Sequence, residues 1–265
     1  MRSQERLAAV IAALIVMLIA TAPAGSQTVT VDPAVARAIE DLVVANHILA
    51  DQGVFDAYGH VSMRDPGNPN RYLMSRPLAP SQVTAADIME FDLNSNPIDQ
   101  RGRDLLVERF LHGAIYKARP DAQAVVHSHS PAVIPFGVTS VPLRPVLHTA
   151  SFLWPGVPVW DIRDTVPVSD LLVRNDVLGK ALATALGDKP VMLMRGHGDV
   201  VVGRTVQNAV VRAIYTEVNA RVLSAALGLG GSINYISAEE GAQRDRQPGD
   251  EMRARNLWKD RAMTK

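Results

Sequence analysis

Apolar residues recur along this chain with two different periods, one typical of helices and one of strands. Four segments carry apolar side chains three or four positions apart, which predicts amphipathic helices. They are residues 33–51, 105–118, 176–186 and 205–227. Asp32 and Pro33 fit the N-cap and first-turn positions of the first helix.

Shorter segments alternate between apolar and polar residues or are wholly apolar, which predicts β-strands. They are residues 58–64, 71–75, 88–92, 123–129, 191–194 and 199–202. Short turns separate the first three, so these strands are expected to form an antiparallel meander. Residues 138–176 are rich in Pro, Val and Thr and are predicted to form short strands and loops. The pattern therefore predicts one α/β domain with a mostly antiparallel sheet flanked by helices.

The first 24 residues have the layout of a secretory signal peptide. Two arginines precede the apolar run Leu7–Ala20, which has 14 residues, and small residues follow it. A membrane-spanning helix needs about 18 or more apolar residues. We expect residues 1–24 to be removed on export to the periplasm or the exterior, and an uncleaved anchor is the alternative. Residues 25–237 then form the domain.

Residues 238–265 form a charged tail with one predicted helix near 250–262. This tail is expected either to pack on a neighbouring subunit or to be loosely ordered. Lys plus Arg and Asp plus Glu balance at 27 each, and no basic run is present, which argues against a nucleic-acid partner. The chain has no cysteine, so disulfides are excluded and any metal site must use histidine and carboxylate.

Most of the candidate functional residues are histidines. His127 and His129 end the apolar strand 123–129, and residues two apart on a strand share a face. They can present two imidazoles to a divalent metal, or be an exposed pair without a ligand. His197, between two glycines after another apolar strand, is a candidate third ligand. Glu108, 19 residues before His127, is the candidate acid/base carboxylate or an ordinary surface residue.

Three motifs carry a family resemblance: Gly59–Arg64 (GHVSMR), Glu108 with the downstream HSH at 127–129, and GHG around His197. In order and spacing they resemble the class II aldolase/adducin family over about residues 35–230. The resemblance implies a three-layer α/β/α domain, usually a homotetramer with sites near subunit interfaces.

The resemblance also implies one divalent metal ion, commonly zinc or manganese, at the positions matching His127, His129 and His197. Iron is a further possibility, since three histidines can hold Fe(II). Glu108 matches the family's acid/base carboxylate. The metal would polarise a small-molecule substrate while a carbon–carbon bond breaks.

The chain departs from the sugar-phosphate members of the family. His60 replaces their usual Asn, and Leu106 and Val107 replace serines that help to hold phosphate. GHVSMR, followed by LMSRPLAP at 73–80, instead resembles a branch that decarboxylates hydroxylated aromatic or pyridine carboxylic acids. Arg76 is then a candidate carboxylate clamp or a surface arginine.

His60 and His148 are the other candidate substrate-binding residues, and a packed structural role is the alternative for His148. His112, one turn after Glu108, is predicted to be structural. The function expected from all these features is a metal-dependent carbon–carbon lyase, a decarboxylase of a hydroxylated aromatic or heteroaromatic acid. The alternatives are an aldolase or epimerase on a hydroxy-carbonyl or sugar substrate, an Fe(II) oxygenase, and a non-catalytic adducin-like binding protein.

Overall fold

The structure, a computed structural model, describes residues 32–247 and 250–264. The predicted signal peptide lies outside this part of the chain. None of the described helices combines the length and apolar character needed to cross a membrane.

Seven α-helices lie in the described ranges. They are α1 (Pro33–Asp51), α2 (Arg109–Ala118), α3 (Ile134–Val138), α4 (Asp176–Leu186), α5 (Val206–Leu229), α6 (Ala238–Asp245) and α7 (Glu251–Met263). The Asp32 carboxylate accepts a hydrogen bond from the Ala34 N–H at 2.7 Å, so the predicted N-cap of α1 is confirmed. Asn175 and Thr205 cap α4 and α5 in the same manner.

Seven strands form one sheet in the same part of the chain. They are β1 (His60–Asp65), β2 (Asn68–Ser75), β3 (Ile88–Asp92), β4 (Ala124–Ser128), β5 (Val159–Trp160), β6 (Val191–Met194) and β7 (Gly198–Gly203). Their order is β3-β2-β1-β4-β7-β6-β5. Every neighbouring pair is antiparallel except β5 with β6, so the sheet is mixed but mostly antiparallel.

Helices cover both faces of this sheet, so the three-layer α/β/α prediction is confirmed. Alternate strand residues point to opposite faces. Val61 and Val126 pack in the core that contains residues of α1 and α5. Val125 and Val200 pack on the opposite face with residues of α2 and α4.

The start of α2 differs from the prediction. The apolar period runs from residue 105, but the helix begins at Arg109 and leaves Glu108 at the N-cap position. The Arg109 guanidinium donates to the carbonyls of Leu106 at 2.9 Å and Ser95 at 2.9 Å. These bonds hold residues 105–108 in an irregular turn, which directs the Glu108 side chain inward.

The C-terminal segment contains more helix than predicted. It forms two helices, α6 and α7, whereas only one was predicted. Trp258 of α7 is buried, and Arg255 pairs with Asp41 of α1 at 2.5 Å. The charged segment therefore packs on its own domain.

Candidate metal centre

Two adjacent strand ends bring the three predicted histidine ligands together. His127 lies in β4, and His129 follows the end of that strand. His197 lies in the tight turn between β6 and β7. The register pairs Ser128 with Asp199, so this turn lies beside the end of β4. A Cβ at Gly198 would be 1.8 Å from the Ser128 carbonyl oxygen, so only glycine permits this approach.

Four potential ligand atoms converge at this point. One atom each from Glu108, His127, His129 and His197 lies within 4.8 Å of the others. The Nε2 atoms of His129 and His197 are 3.0 Å apart. Two nitrogens bound tetrahedrally to one zinc ion would be roughly 3.3 Å apart, given Zn–N bonds of about 2.0–2.1 Å. The spacing is therefore close to that of a shared cation.

Hydrogen bonds orient two of the imidazoles so that Nε2 faces the cluster. His127 Nδ1 donates to the Asp199 carbonyl at 2.9 Å, and His197 Nδ1 donates to the Leu171 carbonyl at 3.0 Å. In a neutral imidazole this leaves a lone pair on Nε2. His127 Nε2 is buried and has no hydrogen-bond partner among the described residues. A buried, unpaired nitrogen aimed at other ligands fits a metal site.

Glu108 contributes one anchored oxygen and one that faces the histidines. Its Oε1 accepts a hydrogen bond from the Val173 N–H at 3.0 Å. Its Oε2 lies 3.4 Å from His127 Nε2 and 3.6 Å from His197 Nε2. Burial alone would raise the pKa of Glu108, but the neighbouring histidines, His127 above all, lower it well below its usual range. The carboxylate is therefore ionised at neutral pH.

The pKa values of the three histidines shift in two different directions. Burial disfavours protonation of His127, but the Glu108 carboxylate outweighs it and raises the pKa of His127. Burial, followed by the proximity of His127, lowers the pKa of both His129 and His197 to about 4. His129 is only partly buried, so the cluster is accessible to solvent on its side.

His60 also lies at this site. The register pairs it directly with His127 on the neighbouring strand, and the two ring centroids are 5.0 Å apart. Its Nε2 is 3.9 Å from Glu108 Oε2. The structure thus places five of the seven residues predicted for the site together: Glu108, His60 and the three candidate ligands.

Arg76 lies nearby but has no contact with the cluster in the described residues. Its Nε donates to Asp87 Oδ1 at 2.7 Å. Continuing the pairing of Ser62 with Met74 by two residues places Arg76 beside His60 and on the same face of the sheet.

His148 is not brought to the site within this chain. It is exposed at the start of a short 3₁₀ helix, His148–Leu153. It borders a groove with Arg204 and Tyr215, and this groove shares no lining residue with the cluster. A substrate-binding role for His148 stays a prediction, and no periodic pattern across residues 138–176 indicates where this loop lies.

Several residues at the site had no predicted role. Tyr58 is 68% exposed, with its ring centroid 6.2 Å from that of His129, and it immediately precedes the GHVSMR motif that could have drawn attention to it. Leu171 and Val173 supply backbone groups from an irregular loop, and no sequence signal marks them.

The fold and the converging side chains define an α/β/α protein with a candidate three-histidine metal centre. The chain belongs to the class II aldolase and adducin family, because residues 40–224 match the family's Class II Aldolase and Adducin N-terminal domain.

Two similar proteins within this family are named as decarboxylases. The chain is 38% identical over 196 residues to Decarboxylase tropJ of Talaromyces stipitatus, which covers 69% of this chain and 74% of that protein. It is 31% identical to 3,4-dihydroxyphthalate decarboxylase of Arthrobacter keyseri, over 78% of this chain and 86% of that protein. L-fuculose 1-phosphate aldolase from Glaciozyma antarctica shares the fold, with 25% identity and a TM-score of 0.68 over 87% of this chain and 88% of the other.

Proposed function

We propose that this protein is a divalent-metal-dependent decarboxylase of hydroxylated aromatic or heteroaromatic carboxylic acids. The observation that carries the proposal is the convergence of Glu108 with three histidine side chains within 4.8 Å. The similarity to two proteins named as decarboxylases supports this reaction over aldol cleavage.

His127, His129 and His197 would hold the cation, which we propose to be zinc or manganese, with iron as a further candidate. The donor set supports this choice, since imidazole suits zinc and iron while nearby carboxylate oxygen suits manganese. A bound divalent cation supplies Lewis-acid polarisation of a substrate oxygen. Solvent access on the side of His129 leaves room for a substrate to approach.

Glu108 would move the proton. Its ionised carboxylate accepts the proton of the substrate's ring hydroxyl as the substrate binds. The bond between the ring carbon and the carboxyl group then breaks, CO₂ leaves, and the electron pair stays in the ring. Glu108 returns its proton to that ring carbon, and the phenolate product regains a proton from water. The anchored Oε1 keeps the second oxygen directed at the site throughout.

Arg76 is proposed to bind a substrate carboxylate. Asp87 pairs with its Nε, and the described residues give its terminal nitrogens no hydrogen-bond partner. We expect Arg76→Lys to raise KM about tenfold with little change in kcat, because lysine cannot form the bidentate pair. Arg71→Lys in the preceding strand β2, which disturbs an ion pair with Glu90, is the matched control. An unchanged KM in the Arg76 variant would remove this residue from the proposal.

The first test combines metal content with product analysis. Purified protein is expected to hold about one divalent ion per chain and to release CO₂ from dihydroxylated aromatic dicarboxylic acids. His127→Ala and His197→Ala should lose both properties while remaining folded. His47 lies outside the cluster, and its ring bonds the Val83 carbonyl. His47→Ala should therefore keep both the metal and the activity. Aldehyde products would favour the aldolase alternative, and absence of metal after reconstitution with zinc, manganese and iron would refute the proposal.

Export and a homotetrameric assembly are further parts of the proposal. The apolar run at Leu7–Ala20 supports removal of residues 1–24 on export. N-terminal sequencing of the secreted or periplasmic protein should begin at residue 25, and light scattering should give four times the chain mass. An intact N-terminus in the membrane fraction would favour the anchor, and a monomer would contradict the assembly.

A further inference from the structure

A continuous chain of buried polar side chains leads away from the candidate metal centre. His60 Nδ1 is 2.7 Å from His112 Nε2, and His112 Nδ1 is 2.6 Å from Ser62 Oγ. Ser62 Oγ is 2.8 Å from the Tyr116 hydroxyl. All four residues are at most 5% exposed. Within the described residues, this chain of side chains reaches the site through His60, whose Nε2 faces Glu108.

The two elements that build this chain explain its geometry. His60 and Ser62 are two apart on β1 and share one face of the sheet. His112 and Tyr116 are four apart on α2 and share one side of the helix. The packing of α2 on β1 therefore alternates strand and helix side chains along one line.

The far end of the chain determines the direction of its hydrogen bonds. Among the described residues, Ser62 Oγ is the only acceptor paired with the proton of the Tyr116 hydroxyl. A buried hydroxyl proton without an acceptor is costly, so Tyr116 donates to Ser62. The Ser62 hydroxyl then donates to His112 Nδ1, which in a neutral ring leaves the proton on Nε2. His112 Nε2–H donates in turn to His60 Nδ1.

We propose that Tyr116, Ser62 and His112 are positioning residues that hold His60 as its Nε2–H tautomer. His60 then meets the site as a neutral hydrogen-bond donor and leaves proton transfer to Glu108. Such a donor suits an anionic oxygen, either that of Glu108 or a carboxylate or phenolate oxygen of the substrate. The proposed contact between His60 and the substrate rests on the proposed function, whereas the assignment of the His60 tautomer does not.

Two further features agree with this assignment. Burial lowers the pKa of both His60 and His112, which keeps the two rings neutral. The ionised Glu108 at the other end favours an N–H over a lone pair on His60 Nε2. The opposite tautomer would leave the Tyr116 proton unbonded at one end and direct a lone pair at a carboxylate at the other.

The chain contains its own reference for the measurement. His197 donates from Nδ1 to a backbone carbonyl, so it has the Nδ1–H tautomer. His60 and His112 are expected to show the reverse. Solid-state ¹⁵N NMR of the full chain with labelled histidine distinguishes the two tautomers whatever the assembly size. His60→Gln and His112→Gln assign the signals.

Tyr116→Phe tests the direction argument, because it removes the terminal proton and keeps the ring. We expect the Nε2–H fraction of His60 to fall about twofold as the two tautomers become comparable, while His197 keeps its Nδ1–H tautomer. Tyr72→Phe is the matched control, since Tyr72 is a buried tyrosine in the same core whose hydroxyl bonds Ser95. Ser62→Ala should act like Tyr116→Phe, and Ser62→Thr should restore the wild-type tautomer.

The effect of these substitutions on turnover is measured separately from the tautomer. Tyr116→Phe is expected to lower kcat at least twofold with unchanged metal content. An Nδ1–H tautomer at His60 in the wild-type protein would overturn the inference even if a variant fails to fold. An unchanged tautomer in folded Tyr116→Phe and Ser62→Ala would also overturn it. Correct tautomers in a protein without decarboxylase activity would refute the proposed function alone.

Discussion

Replacing Glu108 with glutamine tests both roles that we assign to this carboxylate. The change keeps the shape of the side chain and one oxygen but removes the charge that lies 3.4 Å from His127 Nε2 and 3.6 Å from His197 Nε2. The Val173 N–H can still donate to the remaining oxygen, so the irregular turn is expected to keep its conformation. We therefore expect weaker cation binding and a large loss of turnover in a folded protein.

The expected loss of affinity follows from the distances. Two unit charges about 4 Å apart interact by roughly 1 kcal/mol in water and by about 4 kcal/mol at an effective dielectric constant of 20. The cluster lies between these limits, since His129 on one side of it is buried only in part. With about 1.4 kcal/mol per tenfold change, zinc binding should weaken by about 5- to 700-fold. Loss of general acid–base catalysis should lower kcat by at least about 100-fold.

The two effects need separate assays. Competition with a fluorescent zinc chelator measures affinity, and CO₂ release at saturating zinc measures turnover by fully loaded protein. Glu40→Gln, an exposed residue of α1, is the matched control. Wild-type zinc affinity in Glu108→Gln would refute the view that the carboxylate faces the cation, and wild-type kcat at full occupancy would refute its proton role.

Two further predictions concern protons. The pKa of His127 is raised above 6.5, whereas those of His129 and His197 are about 4. Between about pH 4 and 6.5, zinc binding should therefore release one proton per ion. Calorimetry in buffers of different ionisation enthalpy measures the number of protons released, and release of three would contradict the prediction. Burial raises the pKa of Asp199 from 3.8 to about 6, so the folded state retains a proton that the unfolded state loses. Stability of the metal-free protein should fall by up to about 3 kcal/mol as pH rises through this range. In urea unfolding, Asp199→Asn should abolish this dependence, and an unchanged slope would refute the assignment.

The fold was predictable because its main elements are long or strongly periodic. The apolar period of α1 and the cap at Asp32 gave both ends of that helix correctly. The start of α2 was not predictable, since residues 105–108 keep a helical period while Arg109 binds the Leu106 carbonyl, which a longer helix would use, and the carbonyl of Ser95 outside the helix. Tertiary contacts of one arginine thus override a local pattern.

The site was predictable where a motif fixes spacing on a rigid element. His127 and His129 flank one residue at the end of a strand, and His197 follows another strand, so adjacent strands bring them together. His148 lies in a segment without periodicity, and nothing in its neighbouring residues indicates its position. Backbone groups such as the Leu171 carbonyl, which orients His197, have no side-chain identity that a sequence could show.

Histidine identity alone does not determine chemical role in this protein. His60 and His127 are paired across two strands and both lie close to Glu108, yet their hydrogen bonds run in opposite directions. A backbone carbonyl accepts from Nδ1 of His127 and leaves its Nε2 free to bind a cation. A buried imidazole donates to Nδ1 of His60 and leaves its Nε2 as a donor. An asparagine at position 60, as in the sugar-phosphate members, is too short to connect His112 with Glu108. His60→Asn should therefore disconnect the buried chain of side chains from the site while leaving the three cation ligands unchanged.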